Sequence, residues 1–460
     1  MTVHFDSALS AALTIVSTVD LADLAHEVEA GSVPQSKQKR IVLIRDLFGR
    51  IHMALGKKAA ATSVRRSDLA EKWQQTLGHY APYAGDEFFF VDELIAPEAL
   101  WNSQDIVALD KISKDGVPVY LYDRALGGQD WIRAELSGEG TKIQRLIFHG
   151  FKGGVGRSSA LAMVARRLAD AGKRVLVLDL DLESPGLTNI LIESERLPEF
   201  GLVDFFVESA SSNMTIADFL QREGLIYQRS FLSDGTPGEI FVVPVHGANA
   251  GDYIAKLSRT YVEIPGDGEN KTKGFAERLH EFLSAIEEKL QPDVVLLDSR
   301  AGVDDIAAAI IGRFGAHTLL FGTNSVQTWA GYRLLFEHLK KRRPRIDPQD
   351  VFKVVATLIP ETEQEPYLDL FKERAYEAFS NSLYEEIQGG HLNDGNFSVN
   401  SEDAPHFPLE VFWRREYMEF DPVKNARLFD PKQADAVYGE LLEYVVEFVG
   451  SGRRVTHGSN

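Results

Sequence analysis

The chain has 460 residues, of which 44% are hydrophobic and 25% charged, a globular composition long enough for two to four domains of roughly 100–200 residues. It contains no cysteine, which excludes disulfides, thiolate metal sites and cysteine nucleophiles. The net charge of −19 disfavours nucleic acid as a partner except through a local basic patch, and no apolar run is long enough to span a membrane.

Residues 1–138 predict a small α+β domain. The beginning lacks the basic lead of a secretory signal, so we expect a cytoplasmic protein. The stretch "KRIVLIRDLFGRIHMAL" (39–55) predicts either a hairpin about Phe48-Gly49 or one amphipathic helix. The strand-like pieces "EFFFVDEL" and "PVYLYDRA" follow, and "LSGEGTK" (136–142) is typical of a linker.

Residues 139–360 show a repeated strand–helix rhythm. The strand-like runs are "RLIFHG" (145–150), "RVLVLDL" (174–180), "EIFVVPV" (239–245), "DVVLLDS" (293–299), "HTLLFGT" (317–323) and "VFKVVATLIP" (351–360). Most are continuously apolar, as strands covered on both faces are, and helical patterns such as "SSALAMVARRLADAG" separate them. This alternation predicts an α/β fold with a doubly wound, mostly parallel sheet.

Residues 361–460 predict a helix-rich C-terminal extension, interrupted by the flexible segment "GGHLNDGNFS". Earlier in the chain, before this extension, "KKRRPR" (Lys340 to Arg345) is a candidate patch for non-specific DNA. The same residues also suit the solvated last turn of a helix, where cations complement the helix dipole.

A glycine-rich loop, "FKGGVGRSS", lies between the first strand and the first helix of the central domain. Backbone N–H groups in such a loop form an anion-binding nest, and the helix N-terminus adds its dipole. Arg157 stands where phosphate-binding loops usually have lysine, so charge neutralisation is kept while the group becomes planar and forked. We therefore expect nucleotide binding with slow turnover. The predicted binding residues are Lys152, Gly153, Gly154, Val155, Gly156, Arg157, Ser158 and Ser159.

"KGGVGRSS" resembles the deviant Walker A loop of the ParA/MinD (SIMIBI) class of P-loop ATPases, and in particular a branch with the motif KGGVGR. The resemblance extends over about residues 143 to 360. It implies a P-loop NTPase fold, ATP and Mg²⁺ as ligands, and a homodimer with nucleotide at the interface. In such a dimer Lys152 would reach the phosphates bound by the partner.

Two later strands end in carboxylates, which a parallel sheet places beside the loop. "VLVLDLDLESPGL" supplies Asp179 and Asp181, and "VVLLDSRAGVDD" supplies Asp298 in a Walker B element. The resemblance implies that Asp181 orients or deprotonates the attacking water and that Asp179 helps to hold the metal. The predicted catalytic residues are Lys152, Arg157 and Asp181, and the predicted metal residues are Ser158, Asp179 and Asp298.

The segment after Asp298 resembles the family's D-x-x-x-G switch, with Gly302 as its glycine. Arg300 is unusual there, and it either contacts a phosphate or a partner subunit, or pairs with Asp304 or Asp305. Thr357 and Pro360 are candidates for adenine contacts or are ordinary strand-end residues.

We expect a Mg-ATP-dependent ATPase that acts as a dimerisation switch. Two alternatives remain at this point: an ATP sensor or adaptor that does not hydrolyse ATP, and a ParA-like ATPase for DNA partition or positioning. In each case the N- or C-terminal region would bind a protein partner.

Overall fold

The computed structural model describes residues 3–29, 37–58, 63–95, 97–101, 103, 105–124, 128–131, 133, 136, 143–211, 213–248, 251–266, 272–342, 346–384 and 397–452. The chain divides into two compact units, with the boundary between residues 134 and 135. None of the described helices is long and apolar enough to cross a membrane.

The first unit is an α+β domain with one mixed sheet. Its elements are α1 (Phe5–Val16), β1 (His26–Glu29), β2 (Lys37–Arg45), β3 (Ile51–Leu55), α2 (Ser63–Leu77), β4 (Phe88–Phe90), α3 (Pro97–Trp101), β5 (Ile106–Ile112) and β6 (Pro118–Asp123). The strand order is β4-β3-β2-β6-β5, and β1 pairs with β2.

The hairpin predicted about Phe48-Gly49 is confirmed, and the helical alternative is wrong. β2 and β3 pair antiparallel, and the Asp46 carboxylate closes the turn by accepting the backbone N–H of Phe48 at 2.9 Å and of Arg50 at 2.8 Å. Consecutive residues are apolar because both faces are covered: Leu43 packs into one core and Val42 into another.

The second unit is the α/β domain. Its elements as far as the fourth strand of its main sheet are β7 (Gln144–Gly150), α4 (Arg157–Asp170), β8 (Arg174–Asp179), α5 (Leu187–Leu191), α6 (Leu202–Ala210), α7 (Ile216–Phe219), β9 (Gln228–Arg229) and β10 (Glu239–Val243). Then follow α8 (Tyr253–Leu257), β11 (Ile264–Pro265), β12 (Thr272–Lys273), α9 (Phe275–Leu290), β13 (Val294–Asp298), α10 (Asp305–Arg313), β14 (His317–Gly322) and α11 (Val326–Arg342). The last elements are α12 (Pro348–Val351), β15 (Phe352–Ile359), α13 (Gln364–Ser380), β16 (Leu409–Phe412) and α14 (Pro431–Ser451).

Eight strands form the main sheet of this unit, in the order β16-β15-β14-β7-β13-β8-β10-β9. Every pairing is parallel except that of β9 with β10. All residues of β7, β13 and β14 are buried, which is why these strands read as continuous apolar runs. All six strands predicted for residues 139–360 are present, and the doubly wound, mostly parallel fold is confirmed.

The C-terminal region is helical, as expected, and its elements complete the central sheet domain. β16 pairs with β15, and α14 packs on α4 and β16. Val437, Leu441 and Val445 on α14 are buried in the same core as β7 and β13. The sequence did not predict β16, because four residues at a sheet edge give too short a pattern.

Three sequence predictions fall partly on residues outside those described. Lys340, Lys341 and Arg342 end α11, whereas 343–345 are not described. Most of "LSGEGTK" and of "GGHLNDGNFS" lies outside the described residues as well.

Candidate phosphate-binding site

The glycine-rich loop occupies the turn between β7 and α4. β7 ends at Gly150, and α4 begins at Arg157 with Gly156 as its N-cap. Gly154 and Gly156 have φ angles of 74° and 82°, a left-handed conformation that only glycine adopts without strain. A Cβ placed on either glycine would meet no atom within 4 Å. The loop thus presents backbone, with free space above it, at a helix N-terminus.

An aromatic contact holds the first residue of this loop. The Phe151 ring stands edge-on to Tyr332, with 4.8 Å between ring centroids, and the Tyr332 hydroxyl donates to the Phe321 carbonyl at 2.7 Å. A Cβ on Gly331 would lie 2.1 Å from the Phe151 ring, so this glycine lets the ring approach α11. Sequence reasoning missed this contact, and its signal is a glycine inside the helical pattern "TWAGYRLL".

Four predicted residues meet below the loop. The Ser158 hydroxyl donates to Asp298 Oδ2 at 2.6 Å, and Arg157 Nη2 donates to Asp181 Oδ2 at 3.2 Å. Arg157 Nε also lies 3.8 Å from Asp298 Oδ1. The two carboxylates come from the carboxyl ends of β8 and β13, which are neighbours in the sheet. The sheet therefore brings Arg157, Ser158, Asp181 and Asp298 together, as their positions after strands predicted.

Two buried polar atoms in this group have no hydrogen-bond partner among the described residues: Arg157 Nη1 and Asp298 Oδ1. Burial raises the pKa of the Asp298 carboxyl above its ordinary 3.8, to about 6, although the Arg157 charge opposes the shift. Burial raises the pKa of Asp181 as well, again against Arg157. Buried donors and acceptors without partners are costly, so this pair of atoms suits a ligand that supplies both an anion and a cation.

The donor set fits a magnesium ion bound with nucleotide. Within the described residues no three histidine or acidic side chains converge as a self-sufficient metal site. Mg²⁺ is usually held by one or two protein oxygens together with substrate phosphates and water, and Ser158 and Asp298 are the oxygens available here.

Asp179 differs from Asp298, the other predicted metal residue at a strand end, because both of its carboxylate oxygens already accept hydrogen bonds. Its Oδ2 accepts hydrogen bonds from the Thr188 N–H and hydroxyl at 2.9 and 2.8 Å, and its Oδ1 accepts the Asp181 N–H at 3.2 Å. Burial and the nearby Asp298 raise its pKa to about 7. Both oxygens are thus used to shape the loop after β8, and a role for Asp179 on the metal stays a prediction.

Lys152, unlike this buried group, lies at the surface of the loop. Its side chain is exposed and makes no ion pair with any residue the structure describes, which leaves it available to a second molecule. Val155 is buried, and Ser159 is half-buried in the first turn of α4.

The predicted switch segment lies along the start of the loop. The Gly302 N–H donates to the Gly150 carbonyl at 3.0 Å, and the Ser299 hydroxyl lies 3.2 Å from His149 Nδ1. Burial and the Arg157 charge lower the His149 pKa to about 3, so the imidazole is neutral at ordinary pH. His149 was not predicted, because only the fold reveals its contact with a residue 150 positions away.

The candidate adenine residues are ordinary in their contacts. The Thr357 hydroxyl is buried and donates to the Gly322 carbonyl at 3.0 Å, as a strand-end threonine does. Base contacts by Thr357 and Pro360 stay predictions.

Residues 146–355 match the family described as the CobQ/CobB/MinD/ParA nucleotide binding domain, and this segment contains the loop, Asp181 and Asp298. No curated protein matches the chain.

Three solved structures are among those similar to the chain. The pNOB8 ParA bound to nonspecific DNA is 18% identical with a TM-score of 0.39, and the alignment covers 66% of this chain and 99% of that one. The MinD cell division protein of Aquifex aeolicus is 14% identical with a TM-score of 0.40, covering 66% and 97%. A plasmid partition protein from Borrelia burgdorferi bound to AMPPNP is 12% identical with a TM-score of 0.39, covering 67% and 100%.

Proposed function

We propose that this domain, which is of the ParA/MinD nucleotide-binding type, binds ATP with Mg²⁺, hydrolyses it slowly to ADP and phosphate, and dimerises according to the nucleotide it holds. The observation that carries the proposal is the convergence of Arg157, Ser158, Asp181 and Asp298 under an open glycine loop, with Arg157 Nη1 and Asp298 Oδ1 buried and unpartnered. A phosphate and its metal ion would supply the missing partners.

Each residue has a role that follows from its chemistry. The loop N–H groups and the guanidinium of Arg157 bind and neutralise the phosphates, while Ser158 and Asp298 hold the metal. The metal, when bound, draws charge from the phosphate oxygens. Asp181 orients the attacking water, and because burial raises its pKa its carboxylate is a stronger base than an exposed aspartate.

Dimerisation rests on Lys152. Its exposed ammonium group has no partner among the described residues, although it lies in the loop itself. A second copy of the chain offers a compact anion for it, the phosphates bound in the facing loop.

One contact favours the sensor alternative. Arg157 binds Asp181, the carboxylate that hydrolysis needs free for water. A guanidinium that keeps this contact in the ATP complex would leave binding intact and block turnover, since misplacing a reacting group by about 1 Å can cost about 10²-fold in rate. DNA binding through Lys340–Arg345 stays a prediction, because 343–345 are not among the described residues.

The test is phosphate release from Mg-ATP over a range of protein concentrations, with Asp181→Ala and Lys152→Ala as variants and nucleotide binding measured alongside. We expect a rate per protomer that rises with concentration, is lost in Asp181→Ala, and is lost in Lys152→Ala while ATP still binds. Binding with a rate equal to that of Asp181→Ala would replace the ATPase by the sensor. Unchanged turnover in Lys152→Ala would remove the role of this lysine in a dimer.

A further inference from the structure

Arg300 occupies the middle of a segment that is fixed to the phosphate loop at both ends. At one end Asp298 accepts the Ser158 hydroxyl at 2.6 Å, and at the other the Gly302 N–H donates to Gly150 at 3.0 Å. Five residues anchored in this way cannot move far from the loop. The side chain of Arg300, by contrast, is 41% exposed.

Two carboxylates hold Arg300 in its present position. Its Nη1 lies 2.9 Å from Glu183 Oε1, and its Nε lies 3.8 Å from Asp304 Oδ2. The interpretation as a pair with Asp304 was thus partly right, but Glu183 is the closer partner. Each contact joins one nitrogen to one oxygen, which uses little of the guanidinium's five-donor fork.

The carboxylates are themselves incompletely satisfied. Glu183 Oε2 and Asp304 Oδ2 are buried and accept no hydrogen bond from the part of the chain that the structure describes. Glu183 Oε1 also accepts the Tyr261 hydroxyl at 3.3 Å, so Tyr261 fixes this carboxylate beside the loop that follows β8. Burial raises the pKa of Asp304 to about 6, and the charge of Arg300 opposes that shift.

The charge of Arg300 also reaches the residue proposed to handle water. It lowers the pKa of Asp181 against the effect of burial, in second place after Arg157. Arg157 belongs to the loop and Arg300 to the switch segment, so two cations from different elements act on one carboxylate. A terminal phosphate beside Asp181 would therefore interact electrostatically with both Arg157 and Arg300.

We propose that Arg300 recognises the terminal phosphate of bound ATP, leaving Glu183 for the phosphate oxygens, and so lets the segment from Asp298 to Gly302 distinguish ATP from ADP. This rests on the proposed function, because it requires nucleotide in the loop. A guanidinium binds phosphate through two parallel N–H donors, which is stronger and more directional than its single contact with Glu183. Glu183 is the competitor that holds the arginine when the terminal phosphate is absent.

The experiment measures dissociation constants for ADP and for the non-hydrolysable imido analogue of ATP, both with Mg²⁺, on the full chain. We expect Arg300→Gln to weaken the ATP analogue about ten- to hundredfold, as the loss of a charge-assisted contact does, with ADP changed less than about twofold. Arg300→Lys keeps the charge without the fork and should fall between. Glu183→Gln removes the competitor and should tighten the ATP analogue several-fold while leaving ADP unchanged.

Arg174→Gln is the matched control. Its side chain is similarly exposed and pairs with Glu239 at 3.1 Å, but at the amino ends of β8 and β10, on the opposite edge of the sheet. Neither dissociation constant should change in this variant.

Two results would overturn the proposal, and they have different consequences. An unchanged ratio of ATP-analogue to ADP affinity in Arg300→Gln, whether both affinities stay the same or both fall equally, would remove the role of Arg300 while nucleotide binding by the wild type stood. A wild-type chain that binds neither nucleotide would instead overturn the proposed function and this proposal with it. Urea unfolding of each variant shows whether it is folded when binding is measured.

Discussion

A buried arginine lies near each end of β7, and the two arginines differ in their hydrogen-bond partners. At the amino end Arg145 forms a fork with Glu287, with Nε and Nη2 each 2.8 Å from one carboxylate oxygen. Beyond the carboxyl end, Arg157 Nη2 lies 3.2 Å from Asp181 Oδ2 and its Nε lies 3.8 Å from Asp298 Oδ1. Its Nη1 has no hydrogen-bond partner among the described residues.

This difference separates a structural ion pair from a binding site. Arg145 pairs with both oxygens of Glu287 and donates from Nη1 to the Phe314 carbonyl at 3.5 Å, so every buried polar atom of this pair has a partner within the protein. Arg157 and Asp298 are as deeply buried, yet each keeps one polar atom unused. Buried polar atoms without partners are rare in folded proteins, and a site that binds a charged ligand is one place that tolerates them.

The largest expected effect comes from breaking the closed end. Glu287→Gln leaves Arg145 buried without a counter-charge, and we expect a loss of about 3–5 kcal/mol in the free energy of unfolding. Urea denaturation measures it, with Glu239→Gln as control, because its pair with Arg174 is exposed and is worth about 1 kcal/mol or less. Nucleotide affinity of folded Glu287→Gln should equal that of the wild type. A loss under about 1 kcal/mol would mean that the fork is not structural.

Asp298→Asn makes the corresponding change at the open end, and its effect should fall on binding. We expect Mg-ATP affinity to drop about 10- to 100-fold, as it does when a carboxylate close to a metal is removed. Asp298→Asn should also raise the free energy of unfolding, whereas Glu287→Gln lowers it. Because burial raises the pKa of Asp298 from 3.8 to about 6, the folded wild type binds a proton there that the unfolded chain has lost, and its stability falls as pH rises through that window.

The unfolding free energy of Asp298→Asn relative to wild type should therefore increase from about pH 4 to about pH 6 and then level off. Urea titrations at several pH values measure this difference. If Asp298→Asn lost stability and kept its Mg-ATP affinity, Asp298 would have a structural role like that of Glu287, and the carboxyl end of β7 would not be a binding site.

The smallest expected effect comes from adding a methyl group beside the phosphate loop, at the carboxyl end of β7, without changing any charge. Gly331→Ala places a methyl group where Phe151 lies, and overpacking of this kind costs about 1–3 kcal/mol in stability. Gly439→Ala in α14 is the control, since its Cβ would meet nothing within 4 Å and should stabilise the helix by up to about 1 kcal/mol. Urea unfolding and nucleotide binding compare the two variants. Equal behaviour would show that Phe151 does not set the loop.

Local pattern was enough to predict the sheet domain and the residues that meet beside the glycine loop. The carboxyl ends of parallel strands meet at one edge of the sheet, and the loop after β7 lies at the same edge, so Ser158, Asp181 and Asp298 could be grouped before any coordinates. The hairpin at Phe48-Gly49 stayed ambiguous because apolar residues cover both faces of its strands.

The remainder depended on contacts between distant parts of the chain. Arg145 and Glu287 are 142 residues apart, and neither occurs in a motif. Nor does spacing reveal that Glu183 lies beside Arg300 or that Phe151 packs on Gly331. It also does not reveal that Oδ2 of Asp179 accepts both the N–H and the hydroxyl of Thr188. Such contacts depend on how helices and strands pack against one another, and that packing cannot be read from local patterns in a single sequence.

The packing of α14 against α4 has a consequence for how the chain is made. The helix that opens from the phosphate loop, α4, is covered by α14, which is synthesised long after it, and Leu441 and Val445 of α14 lie in the shared core. Domains fold as units during translation, so the first unit can complete its fold on the ribosome as soon as β6 has emerged. The nucleotide-binding unit can complete its core only once α14 has left the ribosome, so the helix after the phosphate loop lacks this cover while the residues between α4 and α14 are being synthesised.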